Sequence, residues 1–182
     1  MQVAVLVVIL TVSEEELRVL LIHRSGEPYL GWWALPGGGL LPAETLAAAS
    51  ARKLVEETGV GDVYLEQLFT FDGLDAEPGP VAVAALPELA FDNARVIDYA
   101  ITRLRNKLVY TNVAYSLLPQ AFPLSDLQAV YESIFGRAFD KRNFRRRMLS
   151  QGIIRPTGKT VARGAHRPAE LFEFTSRRPM VL

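Results

Sequence analysis

Apolar residues along this chain fall into short runs and helical stripes rather than one continuous block. Residues 3–12 and 17–23 are rich in Val, Leu and Ile, with Ser13, Glu14, Glu15 and Glu16 between them, which predicts two buried strands joined by an acidic turn. WALPGGG (33–39) reads as a glycine loop leading into a helix that runs to about Thr58 and is stopped by Gly59. Pro42, near the expected helix start, is tolerated because its missing N–H would be unpaired there anyway. VYLEQLFTF (63–71) predicts another strand, 72–80 a turn-rich loop and 81–85 a further short strand. Asp92 then caps a helix whose apolar residues Ile97, Ile101, Leu104 and Leu108 recur every three or four positions. Pro119 and Pro123 mark residues 117–123 as a hinge.

The remaining residues follow a second pattern. Ser125 and Gln128 have the spacing of a capping box, and Leu127, Val130, Tyr131, Ile134 and Phe135 give the helix behind them one apolar face that Gly136 ends. Asp140 caps a second helix, 141–151, with Phe139 and Phe144 at the spacing of a hydrophobic staple and Phe144 and Met148 on the buried side. Residues 153–155 and 170–174 predict two strands around a basic loop with Lys159, Arg163 and Arg167. Helix, short turn, basic helix and hairpin is the pattern of a winged helix-turn-helix.

Charge sharpens this division. Residues 1–123 hold 8 Lys/Arg against 15 Asp/Glu, and residues 124–182 hold 12 against 5, although the whole chain is neutral. An acidic module, 1–118, followed by a basic one, 119–182, that faces a polyanion accounts for the asymmetry. The absence of cysteine excludes disulfides and thiolate zinc sites, and two distant histidines, His23 and His166, make a histidine-rich metal site an unsuitable reading. The apolar start is too short to span a bilayer and lacks the basic lead of a signal peptide, so a cytoplasmic protein with no membrane partner is expected.

Between Gly38 and Val60 the chain reads GGLLPAETLAAASARKLVEETGV. Gly38, Glu44, Arg52, Leu54, Glu56, Glu57, Gly59 and Val60 stand at the spacing of a Nudix box, which this segment resembles. In active boxes the residue after the arginine is a glutamate that serves as metal ligand or base; here it is Lys53. Positions 52, 53, 56 and 57 share one helix face, where an active box holds Mg²⁺ with hard oxygen ligands. A lysine ammonium can pair with Glu57 one turn on, repels the metal and still attracts phosphate, leaving Glu56 and Glu57 as weak Mg²⁺ ligands at most. Binding without hydrolysis is the expectation, with no catalytic residue and no metal or other cofactor required. The alternative is an active hydrolase of ADP-ribose or another nucleoside diphosphate derivative, in which a displaced acid replaces the lost glutamate.

On the second module, Lys141, Arg142, Asn143, Arg145, Arg146 and Arg147 on the basic helix, with Lys159 and Arg163 in the hairpin, are the candidate DNA-binding set. No aromatic stripe accompanies them, which disfavours RNA. Taken together, WALPGGG, the altered box, VYLEQLFTF, LAFDNARVIDYAITRLRNKLVYT (89–111), FPLSDLQAVYESIFGRAFDKRNFRRRML (122–149) and HRPAELFEF (166–174) resemble the Nudix-related transcriptional regulators of NAD metabolism, over almost the whole chain. The resemblance implies a Nudix-like α/β/α sandwich with a mixed sheet, followed by a winged helix-turn-helix. It implies a homodimer that reads a palindromic operator on double-stranded DNA, usually as a repressor, and releases it when an ADP-ribose-type effector binds. Arg24, Gly37, Gly38, Arg52, Lys53, Glu56 and Glu57 would form the effector site. Some relatives regulate pentose or other sugar genes instead of NAD genes. Members of the group carry more chain between the strand at 81–85 and LPELAFDN (86–93); either a strand and loop are lost here, or a disordered stretch is omitted at Ala85–Leu86, the reading we favour.

Overall fold

The computed structural model describes residues 3–61, 63, 65–70, 86–162 and 168–182. Packing divides the chain into two compact units: Met1–Leu10 with Arg18–Thr102, and Thr11–Leu17 with Arg103–Leu182. The division falls inside one helix, before the expected boundary at residue 118. The cause is side-chain burial: Leu104, Leu108, Ala114, Tyr115 and Leu118 all join the second core.

In the first unit, β1 (Ala4–Leu6) pairs antiparallel with β6 (Gly37–Gly39), and β4 (Ile22–His23) with β5 (Trp33–Ala34). The hairpin β2 (Leu10–Ser13) and β3 (Glu16–Val19), whose residues Thr11–Leu17 belong to the second unit, turns through Glu14 and Glu15, both at positive φ, so the acidic turn is where the sequence places it. Each of the two flanking apolar runs is nevertheless broken into two short strands. WALPGGG is not a loop: its glycines form β6 by pairing with β1, and at Gly37 a side chain would collide with the carbonyl oxygen of Val5 across the pair. Trp33 also makes a parallel bridge to Leu89, so parallel and antiparallel pairing both occur. Helix α1 (Leu46–Thr58) starts at Thr45, whose hydroxyl accepts from Ala48 N–H, and stops at Gly59 in the left-handed conformation. Pro42 therefore precedes the helix by a turn rather than opening it. Residues 63 and 65–70 form no strand, whereas 72–80 and 81–85 lie outside the described residues, as does the Ala85 side of the junction with Leu86.

Helix α2 (Asn93–Tyr110) begins where the carbonyl of Asp92 accepts from Val96 N–H. Ile97, Ile101 and Leu108 are buried, as their spacing predicts. Asn93 is buried too, and its side-chain oxygen accepts from Leu35 N–H at 2.7 Å, tying α2 to the strand region beside β5. No described helix is long and apolar enough to cross a membrane.

The second unit is a helix pair on a three-stranded sheet, ordered β7 (Phe122–Pro123), β9 (Ala169–Phe174), β8 (Ile154–Val161). The expected hinge is thus part structure: a 3₁₀ turn, Val113–Leu117, leads to β7, and Phe122 is fully buried against the sheet. Helix α3 (Leu124–Phe135) is not opened by a capping box. Pro123 occupies the cap position, Ser125 donates to Asp126 inside the first turn, and Gln128 donates to Glu132 and to the carbonyl of Phe139. Gly136 closes α3 in the left-handed conformation. Helix α4 (Lys141–Ser150) is capped by Asp140, which accepts from Asn143 N–H at 2.9 Å, and the Phe139 and Phe144 rings meet at 5.9 Å. Lys159 sits on β8 and not in the hairpin loop, because β8 runs well beyond the three residues that the sequence pattern suggests. Arg163, His166 and Arg167 lie outside the described residues.

Two substitutions grade these contacts. Asp140→Ala removes one cap and should destabilise by about 1 kcal/mol, while Phe144→Ala empties a buried ring site and should cost about 3–5 kcal/mol; chemical denaturation followed by circular dichroism checks both.

Candidate functional site

The box is built from α1 and the strand and loop that lead to it. Helix α1 packs on β1 and β6, so its face bearing Arg52, Lys53, Glu56 and Glu57 lies over the glycine strand. Arg52 is the centre. Its Nε and one Nη donate to both oxygens of Glu44 at 2.8 and 2.7 Å, its other Nη donates to Glu56 at 3.2 Å, and it also reaches the carbonyl of Gly39 at 3.2 Å. This forked contact clamps the loop before the helix, β6 and the helix itself to one guanidinium. The Arg52 hydrogen bonds, helped by Leu41 N–H, hold the Glu44 carboxyl down to about 2, and Arg52 is pushed upward in turn by Glu44. Glu56 is also lowered, first by Lys53 and then by Arg52.

Lys53 lies among the acids. Its ammonium is 3.1 Å from Glu56 and 3.6 Å from Glu57, so the expected pairing forms and the nearer partner is Glu56. The second oxygen of Glu57 accepts from Gly37 N–H at 2.9 Å. Both oxygens of Glu44 and Glu56 thus accept from Arg52, Lys53 or a backbone N–H, and Glu57 accepts from Gly37 with its other oxygen in ion-pair range of Lys53. The stem of Lys53 crosses Gly38: a Cβ added there would stand 2.7 Å from Lys53 Cε. Mg²⁺ asks for six oxygens in near-octahedral array. Here Arg52, Lys53 and backbone N–H already engage the carboxylates, with an ammonium between Glu56 and Glu57 where such an ion would need free oxygens, and no group of three or more metal-ligating side chains occurs among the described residues.

Six of the seven candidate effector residues thus come together: Gly37, Gly38, Arg52, Lys53, Glu56 and Glu57. Arg24 stands apart in its described contacts. It donates to the carbonyl of Pro28 and lies over the Phe91 ring, 4.8 Å from its centroid. Glu44, which the helical spacing of the site residues did not bring into the candidate set, proves to be the main partner of Arg52. It precedes the helix, so only its place in the box pattern could have pointed to it.

The basic helix α4 exposes Lys141, Arg142, Asn143, Arg145, Arg146 and Arg147 and buries Phe144 and Met148. At about 100° per residue, Arg142 and Arg146 point most directly away from the buried pair. Arg146 is steadied by the side chain of Asn143 at 2.8 Å. Arg145 is turned aside: it pairs with Glu170 on β9 at 3.1 Å and lies over Phe172. Lys141 adds to the lowering of Glu132, after the hydrogen bonds from Gln128 and Phe139 N–H. On the sheet, Lys159 is exposed and Arg155 pairs with Glu173 at 2.8 Å.

A clamped Nudix-type box on one unit and an exposed basic helix with a β-hairpin on the other define a two-module protein, a Nudix domain joined to a winged helix. Residues 1–96 match the NUDIX domain family and residues 114–174 the NrtR DNA-binding winged helix domain. The chain is 34% identical to the ADPR responsive transcriptional repressor NtrR of Acinetobacter baylyi, over 91% of this chain and 79% of that one. It is also similar in structure to Shewanella oneidensis NrtR crystallised with a 27mer DNA, with a TM-score of 0.77, 30% identity and coverage of 94% of this chain and 92% of that one. Over 48% of its length it is 33% identical to 69% of an ADP-ribose pyrophosphatase of Methanocaldococcus jannaschii. The chain belongs to the NrtR family of Nudix proteins. The alignment with the Acinetobacter protein spans 198 positions, more than the 182 residues of the whole chain, so that relative carries extra residues within the match.

The clamp has a pH signature. Because the folded value of Glu44 lies below its ordinary 4.5, the contribution of the pair is complete above about pH 4.5 and is lost as pH falls toward 2. Wild-type protein should lose thermal stability across that window, and Glu44→Gln should start lower at neutral pH and show a flatter acid decline in a melting-temperature series.

Proposed function

We propose that this chain is a sequence-specific DNA-binding transcriptional repressor of NAD or related metabolism genes, controlled by an ADP-ribose-type effector in its Nudix domain. The observation that carries this reading is similarity along nearly the whole chain to a protein described as an ADPR responsive repressor, backed by the likeness to a relative crystallised on DNA. The geometry supports both halves. Helix α4 is capped, stapled and basic on its outer face, which suits insertion in a major groove with the hairpin beside it. The box keeps the arginine clamp while a lysine replaces the acid on which hydrolysis would depend, which supports ligand binding over turnover.

In this reading Lys141, Arg142, Asn143, Arg145, Arg146, Arg147, Lys159 and Arg163 meet DNA, and Gly37, Gly38, Arg52, Lys53, Glu56 and Glu57, joined by Arg24, meet the effector. The working form is a homodimer in the cytoplasm, reading a palindromic operator whose half-sites are spaced by about one helical turn or a multiple of it. The similarity to a pyrophosphatase and the retained Glu56 and Glu57 favour one competing reading, a slow hydrolase of ADP-ribose.

Gel shifts with promoter fragments upstream of NAD or sugar-metabolism genes test the proposal. A specific shift that ADP-ribose abolishes is expected; no specific shift at moderate salt, with or without ADP-ribose, sinks it. Arg142→Ala with Arg146→Ala should weaken specific binding by about 1–3 kcal/mol for each arginine that reads a base edge. Release of AMP from ADP-ribose with Mg²⁺, abolished by Glu56→Gln, would establish the hydrolase instead.

A further inference from the structure

The ammonium of Lys53 lies between Glu56 and Glu57, 3.1 Å from an oxygen of the first and 3.6 Å from one of the second, the two carboxylates that would hold a divalent ion. Both carboxylates are already engaged: Glu56 is shared between Arg52 and Lys53, and Glu57 between Lys53 and the Gly37 N–H. A metal could enter only by expelling Lys53 or by standing beside it, and a single and a double positive charge a few ångströms apart repel strongly in a half-buried site. The lysine is also seated. Its stem passes over Gly38, where an added Cβ would stand 2.7 Å from Cε and displace the flexible end of the lysine, and its side chain is only 21% exposed.

We propose that Lys53 is a built-in replacement for the box's divalent cation, so that the box takes up no metal and its diphosphate ligand binds equally well with and without Mg²⁺. The part concerning the ligand rests on the effector reading above; the exclusion of metal does not. Replacing one acid with lysine leaves two cations, Arg52 and Lys53, against three carboxylates, Glu44, Glu56 and Glu57. Such a box needs little further positive charge, and the Lys53 ammonium is the group able to swing from the acids to a phosphate oxygen. Gly38 then has a stated task, leaving room for the stem of the lysine over the strand.

The test uses the full-length chain and two probes. Mn²⁺ binding is followed by electron paramagnetic resonance in wild type, Lys53→Glu and Gly38→Ala. Wild type should take up no Mn²⁺ into the millimolar range. Lys53→Glu, which removes the cation and adds a ligand, should take it up, and Gly38→Ala, which displaces the lysine without altering its charge, should show weaker uptake. Equal uptake by wild type and Lys53→Glu would overturn the proposal, and so would uptake by neither. In the second arm, calorimetry measures ADP-ribose binding to wild type in EDTA and in Mg²⁺. Linked sites change one another's affinity by roughly 5–150-fold, so equal affinities support the proposal and a rise of that size in Mg²⁺ overturns it. Absence of ADP-ribose binding in both buffers would count against the effector reading, while the Mn²⁺ result would still decide the metal.

Discussion

The guanidinium of Arg52 holds together three pieces of chain that local structure alone leaves independent. It reaches Glu44 in the loop before α1, Glu56 one turn along the helix and the carbonyl of Gly39 on the strand beneath. With that clamp in place, α1 lies over β6, and β6 can lie close to β1 because Gly37 carries no side chain to meet the Val5 carbonyl. The same close approach lets Lys53 cross Gly38 and reach the acids. Clamp, glycine strand and lysine therefore form one arrangement. Changing any member alters the charge or the space available to the others.

The second unit rests on a different constraint, the burial of aromatic rings between a helix pair and a small sheet. Phe122, Tyr131, Phe144, Phe172 and Phe174 fill that core, and their packing fixes which face of α4 is turned outward. The arginines of α4 are not equivalent as a result. Arg145 is held by Glu170 and Phe172 of the hairpin, which ties the helix to the wing, while Arg142 and Arg146 face away from the core. A basic run in the sequence is thus sorted by geometry into a brace and an outward edge.

Much of this was legible in the residues. Asp140 and Gly136 bracket a turn because an N-cap carboxylate and a left-handed glycine are chemically specific, and the Phe139–Phe144 staple followed from spacing alone. The box pattern named the residues that meet around Arg52. Other features were hidden because tertiary contacts override local signals. Ser125 and Gln128 satisfy the capping-box pattern, yet Pro123 takes the cap and Gln128 is drawn to Glu132 and Phe139. WALPGGG reads as a loop by composition, but pairing with β1 makes its glycines a strand. Phe122 and Pro123 lie in a segment that its prolines mark as a hinge, and only the partner strand β9 reveals them as an edge of the sheet. Arg24 was grouped with the box from resemblance, whereas its described contacts are Pro28, Gly26 and Phe91.

On the proposed reading, an idle box is kept because it senses a metabolite, and the second unit converts that state into DNA occupancy. One measurement joins both ends. Protein bound to a fluorescent operator fragment is titrated with ADP-ribose in EDTA, and anisotropy and AMP are followed in the same sample. The account predicts saturable release of DNA, no AMP, and the same midpoint when Mg²⁺ replaces EDTA. Release that occurs only with Mg²⁺ and keeps pace with AMP formation would contradict it.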